Sequence, residues 1–101
     1  MSDQPDPTAP VVADDPARSE YVATLDGREL GVLSYVRGDG VIDLQHTVVH
    51  PEAQGLGVGS ALIRDALDQA RLDGDRIIPT CPFVQRFLER HAEYRDLVAD
   101  A

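Results

Sequence analysis

The sequence predicts an α/β fold, a mixed and mainly antiparallel sheet carrying two helices. Three observations support it. Short segments of alternating apolar and polar residues follow one another from Glu20, separated by turns too short for a crossover. The apolar period then changes to 3.6 residues, the mark of an amphipathic helix. A glycine-rich stretch, Gly55 to Gly59, sits at the change. With 101 residues the chain has room for one domain and not for two.

Taken in order, residues 1–18 hold four prolines (Pro5, Pro7, Pro10, Pro16) and four aspartates (Asp3, Asp6, Asp14, Asp15). Such a composition buries little, so they are expected to form a disordered acidic tail ahead of a domain spanning 19–101. Tyr21, Ala23 and Leu25 alternate with Val22 and Thr24, and Asp26-Gly27 supplies a hairpin turn. Leu30 to Arg37 is a second strand, and Gly38-Asp39-Gly40 turns it into a third, Val41 to Val49, closed by Pro51. Val58, Leu62, Ala66 and Ala70 then lie on one helical face, with Arg64, Asp65, Asp68 and Arg71 on the wet side and Gly74 as the stop. Arg76 to Thr80 is a fourth strand, parallel to the third because a helix intervenes. Pro79 lacks an N–H, so pairing should break there. Cys81-Pro82 opens a last helix from about Phe83 to His91, with proline suited to its first turn.

The charge is −9, from 18 acids and nine bases, and every base is arginine. Neutralising a phosphate backbone needs a basic face, so this balance opposes a nucleic-acid partner. No run of apolar residues approaches the length of a membrane span. The start, Met1-Ser2-Asp3-Gln4-Pro5, shows no basic or apolar leader, so a cytoplasmic location is expected. One cysteine forbids an intrachain disulfide. Together with three scattered histidines it shows no metal-ligand spacing, and no metal is expected.

The densest signal is His50-Pro51-Glu52-Ala53-Gln54-Gly55-Leu56-Gly57-Val58-Gly59-Ser60, joining the longest strand to the longest helix. Glycines at alternate positions leave backbone N–H groups unobstructed, and the helix dipole adds positive potential. Together they make a site for an anion. A P-loop needs a Gly-Lys-Ser/Thr ending, and the chain has no lysine. A dinucleotide fingerprint needs its third glycine where Ser60 stands, and parallel strands before it. Both familiar nucleotide loops fail. Glycines chosen only for tight strand-to-helix packing stay an alternative. An anion held by these amides, with help from Arg64 or nearby arginines, would bind against the net charge, so salt should weaken it little. A steep loss with salt would show a basic patch at work.

Gln54-Gly55-Leu56-Gly57-Val58-Gly59, led by Val49-His50-Pro51, resembles the acetyl-CoA signature of the GNAT superfamily of N-acetyltransferases. With His46-Thr47, Cys81-Pro82-Phe83 and His91-Ala92-Glu93-Tyr94 it is similar to a minimal, short-chain branch, over about Glu20 to Val98. The resemblance implies acetyl transfer from acetyl-CoA to a primary amine, carried by a small molecule, a protein lysine or an N-terminus. It implies that backbone groups of Val48 and Val49 face the pantetheine, and that the amides from Gly55 through Leu56, Gly57, Val58 and Gly59 to Ser60 cradle the pyrophosphate. Gln54 stands at the turn before them.

The tyrosine acid usual in GNAT enzymes falls here on Leu88, which cannot donate a proton. Cys81 is the sharper candidate, because the start of a helix lowers a thiol pKa. It is open to three roles: acetyl acceptor, proton donor to the departing thiolate, or channel wall. His46, three residues before Val49, is the candidate base for the amine. Asp43 and Tyr94 are weaker candidates for base and acid. Direct attack in a ternary complex leads, because it demands only positioning and a polarised carbonyl. A ping-pong route through Cys81, a non-catalytic acyl-CoA-binding or interaction module, and a purely structural interaction domain are the alternatives. Oligomeric state is left open.

Overall fold

A computed structural model describes residues 9–99. Its elements are β1 (Val11–Asp15), β2 (Glu20–Leu25), β3 (Arg28–Arg37), β4 (Val41–Val49), α1 (Val58–Asp73), β5 (Arg76–Pro79) and α2 (Pro82–Arg90). Two 3₁₀ turns, Pro51–Ala53 and Ala92–Leu97, complete it. The sheet runs in the order β1-β2-β3-β4-β5, antiparallel except for the parallel β4–β5 pair. This is the expected α/β class with one strand more than the four expected.

The extra strand corrects the expected tail. Residues 11–15 pair with β2, Val12 packs on the core, and Tyr35 donates a hydrogen bond to Asp14 Oδ1 at 2.5 Å. A proline-rich, acidic composition hides this because the segment is fixed by a distant tyrosine, not by its own periodicity. Residues 1–8 of that expected tail lie outside the described residues.

Hairpin chemistry matches the turns. Asp26 and Gly27 both have positive φ, 54° and 77°, as a tight two-residue β-turn of the primed type requires. Helix α1 buries Val58, Gly59, Leu62, Ile63, Ala66, Leu67 and Ala70 against β2, β3 and β4. Each of the Val, Leu and Ile side chains among them contributes about 1.5–3 kcal/mol. Gly74 ends the helix in the left-handed conformation, φ 74°, with its N–H on the Ala70 and Arg71 carbonyls. Helix α2 packs on β4, β5 and α1. Both helices therefore lie on one side of the sheet. The other side leaves Val36, Val48 and Ile78 exposed.

A bulge in β4 decides how the site is built. Tyr35 pairs with Leu44 but Ser34 pairs with His46, so Gln45 is an extra residue in β4. Before the bulge Ile42 and Leu44 point into the core. After it Thr47, opposite buried Leu33, takes the core side, while His46 and Val48, opposite Ser34 and Val32, take the open side. One inserted residue has swapped the faces.

Tyr21 is buried and tilted against Tyr35, ring centres 5.4 Å apart. Burial first, and then the charge of Asp14, push the Tyr21 hydroxyl up from 10.0 to about 12. The folded state thus holds this proton more tightly than the unfolded chain does. Its contribution is complete below pH about 10 and is lost as pH rises toward 12. Melting temperature should fall across that window in the native chain, and Tyr21→Phe should flatten the fall.

Candidate active site

The site begins where β5 stops pairing with β4. Their register runs from Val41–Arg76 to Leu44–Pro79. Pro79 has no N–H to give, and the Thr80 N–H turns back to the Ile78 carbonyl. Cys81 N–H makes a last crossing to the Leu44 carbonyl at 2.8 Å. Beyond it β4 continues to Val49 with its edge toward β5 unpaired. His50 N–H bonds to Leu30 on β3. By strand alternation Val48 also turns its backbone to β3, and Thr47 and Val49 turn theirs to the open edge.

At the end of that edge the chain turns through Pro51–Ala53 into α1. Gly55 and Gly57 adopt φ of 87° and 78°, and Gly57 is the N-cap. The first helical amide to bond back is Ala61, to the Gly57 carbonyl at 3.0 Å. Among the described residues the amides of Gly57, Val58, Gly59 and Ser60 have no backbone partner, and no side chain caps the helix. Nor does an acidic residue stand in the first turn, although the chain carries twice as many acids as bases. Four orphan donors at a positive helix end, kept clear of carboxylates, are an anion cradle.

The cradle opens on a cavity of about 570 Å³. Of the residues expected to hold the ligand, Val49, Gln54, Gly55, Gly57, Val58, Gly59 and Ser60 line it. Two do not. Leu56 is exposed and borders a different cleft, and Val48 points its side chain from the opposite face of the sheet. The bulge replaces Val48 with Thr47 on the cavity wall. Ala53 and Phe83 are wall residues that sequence reasoning did not single out. Phe83 packs over the bare Gly59, where an added β-carbon would lie 2.9 Å from the ring tip.

The expected catalytic residues are separated by the sheet. Cys81 is buried at the start of α2, with its Sγ 3.3 Å from Thr47 Oγ1. Thr47 reaches the cavity, and Cys81 lies behind it. His46 is exposed on the other face. Asp43 shares that outer face, where Thr80 Oγ1 donates to it at 2.5 Å and Gln45 Nε2 at 3.5 Å. Tyr94 does not fold back to the site, because its hydroxyl donates to Asp68 on α1 at 2.7 Å. Leu88 is buried in the core. The described residues contain no group of three or more His, Cys, Asp or Glu able to hold a metal, and no helix long and apolar enough to cross a membrane.

A family described as GCN5-related N-acetyltransferases matches residues 20–97. The chain belongs to that family. Among GNAT structures it is similar to a GCN5-like candidate N-acetyltransferase from Staphylococcus aureus, at 25% identity and a TM-score of 0.68, covering 90% of this chain and 89% of that one. A GNAT acetyltransferase from Brucella melitensis, solved in complex with acetyl-CoA, shares 31% identity over 67% of this chain and 50% of its own, with a TM-score of 0.54. The chain thus spans about half of that larger protein. Protein NATD1 of Bos taurus is 31% identical over 83 residues, 79% of this chain and 73% of that one. The GNAT match ends short of β1, so the sheet extends beyond the matched residues by one strand.

Proposed function

We propose that this GNAT protein transfers the acetyl group of acetyl-CoA to a primary amine by direct attack in a ternary complex. Acetyl-CoA is the acyl donor of the family. The observation that carries the reading is the run of unpaired amides from Gly57 to Ser60, facing a cavity that continues along the unpaired edge of β4. The amides receive the pyrophosphate, and the outward backbone groups of Thr47 and Val49 hold the pantetheine as a strand would. An N–H on that edge polarises the thioester carbonyl.

The amine approaches from the open side of the sheet, where His46 takes its proton directly or through water. Its nitrogen forms a bond to the carbonyl carbon, the carbon–sulfur bond breaks, and the electron pair leaves on the CoA sulfur. The hydroxyl of Thr47, backed by the Cys81 thiol, donates a hydrogen bond to that sulfur, which takes its proton from solvent water. The chain supplies no lysine to be modified by its own activity. The dependence on acetyl-CoA and a free cysteine support a cytoplasmic location.

Cys81 is 4% exposed and lies behind Thr47, which disfavours it as the acetyl acceptor. The test is thiol release from acetyl-CoA against a panel of polyamines and lysine peptides, combined with Cys81→Ala. Direct attack predicts that the variant keeps activity within about tenfold. It also predicts that acetyl-CoA alone leaves the intact mass of the protein unchanged. An acetyl adduct on Cys81, with activity abolished in the variant, would establish the ping-pong route. Tight CoA binding with no thiol release from any amine would make the protein a binding module.

A further inference from the structure

Beside the large cavity lies a second cleft, of about 180 Å³, lined by Ser60, Phe83, Arg86, Phe87, Arg90 and His91. The two meet at Ser60 and Phe83, which line both. The cleft is basic and aromatic in a chain of net charge −9.

The disposition of the nine arginines makes this informative. Arg18, Arg28, Arg37 and Arg71 are in ion pairs with carboxylates. Arg76 and Arg95 donate to backbone carbonyls at 3.0 and 2.9 Å. Among the described residues only Arg64, Arg86 and Arg90 have neither kind of partner. Arg86 and Arg90 line the cleft. Arg64 lies 5.5 Å above the ring of Phe87, and Arg86 5.8 Å above that of Phe83. Among the described residues no carboxylate lines the cleft; Glu93, outside the lining, lies 3.6 Å from His91 Nδ1. With acids outnumbering bases two to one, two arginines on the cleft wall that are in no ion pair mark a place for an anion from outside the chain.

We infer that this cleft receives the phosphomonoester at the nucleotide end of coenzyme A, so that the protein distinguishes CoA from a carrier lacking its 3′-phosphate. The inference rests on the acetyl-CoA reading above and deepens it. A ligand with its pyrophosphate on the Gly57–Ser60 amides has two ways to continue. On the side of Leu56 it meets the cleft that holds Asp26, Glu52 and Arg28, the last paired to Glu52 at 2.5 Å. On the side of Ser60 it meets the arginines of α2. A phosphomonoester near −2 at pH 7 favours the second. Guanidinium forks bind its oxygens in pairs, and Phe83 offers a flat apolar face to the base beside it.

This changes the salt dependence expected from the sequence. Amides alone would give CoA binding nearly indifferent to salt, whereas the arginine cleft makes CoA affinity fall as salt rises.

The test is calorimetric titration of the full chain with CoA and with 3′-dephospho-CoA, at low and high salt. The variants are Arg86→Gln/Arg90→Gln and, as a charge-retaining partner, Arg86→Lys/Arg90→Lys. The native chain should bind CoA about tenfold more tightly than dephospho-CoA at low salt, and the margin should shrink at high salt. The glutamine pair should bring CoA down to the dephospho-CoA affinity while leaving dephospho-CoA unchanged. The lysine pair should keep part of the margin. Equal binding of both carriers by the native chain, or equal loss of both in the glutamine pair, overturns the inference and leaves the acetyl-CoA reading standing. Binding of neither carrier by the native chain overturns both.

Discussion

Ser60→Glu should weaken acetyl-CoA binding about a hundredfold while leaving the protein at least as stable as before. Ser60 is in the first turn of α1, on the wall of the large cavity, and its amide is one of the unpaired donors. A carboxylate there satisfies the helix end from within the chain, worth roughly 0.3–1 kcal/mol to folding. The same carboxylate occupies the ground the pyrophosphate needs. Two unit charges about 4 Å apart near a protein surface repel by about 4 kcal/mol before screening by salt. Stability and affinity should therefore move in opposite directions, which general damage to the fold does not produce. Melting temperature and calorimetric affinity measured on one preparation check both. Unchanged affinity would place the anion elsewhere on the molecule.

Gly31→Ala should cost about 2 kcal/mol of stability and lower the melting temperature by about 10 °C. Gly31 pairs with Val49 across β3 and β4. A β-carbon there would lie 2.8 Å from the Val48 carbonyl oxygen, 3.3 Å from Val49 Cα and 3.2 Å from Val58 Cγ1. The first two are backbone and cannot rotate away, so the strand and the helix start must separate. Those are the segments that hold the cradle against the open edge of β4. The substitution should therefore reduce CoA affinity as well, in contrast to Ser60→Glu, which spares the fold. An unaltered melting temperature would show that α1 does not seat on β3 as closely as this geometry requires.

Much of the molecule is written in local chemistry. Asp26-Gly27 fixes one hairpin and the spacing of Val58, Leu62, Ala66 and Ala70 fixes α1, because each depends on residues close in the chain. The amide cradle is legible for the same reason, since Gly55, Gly57 and Gly59 act through their own backbone. What the sequence hides depends on distant partners. Strand β1 forms in a stretch rich in aspartate and proline because Tyr35 bonds to Asp14, a contact 21 residues apart. The bulge at Gln45 has no signature in the residues around it, yet it turns Thr47 to the cavity and His46 to the opposite face. A regular strand would have reversed the two. The basic cleft is only partly legible: help from arginines near Arg64 is expected, but net charge conceals which arginines are already paired.

The bulge also gives the two candidate catalytic groups different sides of the chemistry. Thr47 and Cys81 stand on the helix side, where the proposed mechanism puts the carrier's sulfur, and His46 stands on the open side, where that mechanism brings the amine. The unpaired stretch of β4 is the passage between them. Larger GNAT proteins, such as the Brucella enzyme of which this chain spans half, have additional chain to place around such an opening. In the described residues the outer face exposes Val36, Val48 and Ile78.

Acetyl transfer as proposed requires the amides at the start of α1 to bind the acyl carrier along the open edge of β4. Backbone amide chemical shifts, followed by ¹⁵N-resolved NMR as CoA is titrated into the full chain, test it most directly. The largest changes should fall on Gly55, Gly57, Val58, Gly59 and Ser60, and continue through Thr47 and Val49, while Asp26 and Glu52 stay still. Shifts centred on Asp26, Glu52 and Leu56, or none at all at saturating CoA, would contradict it.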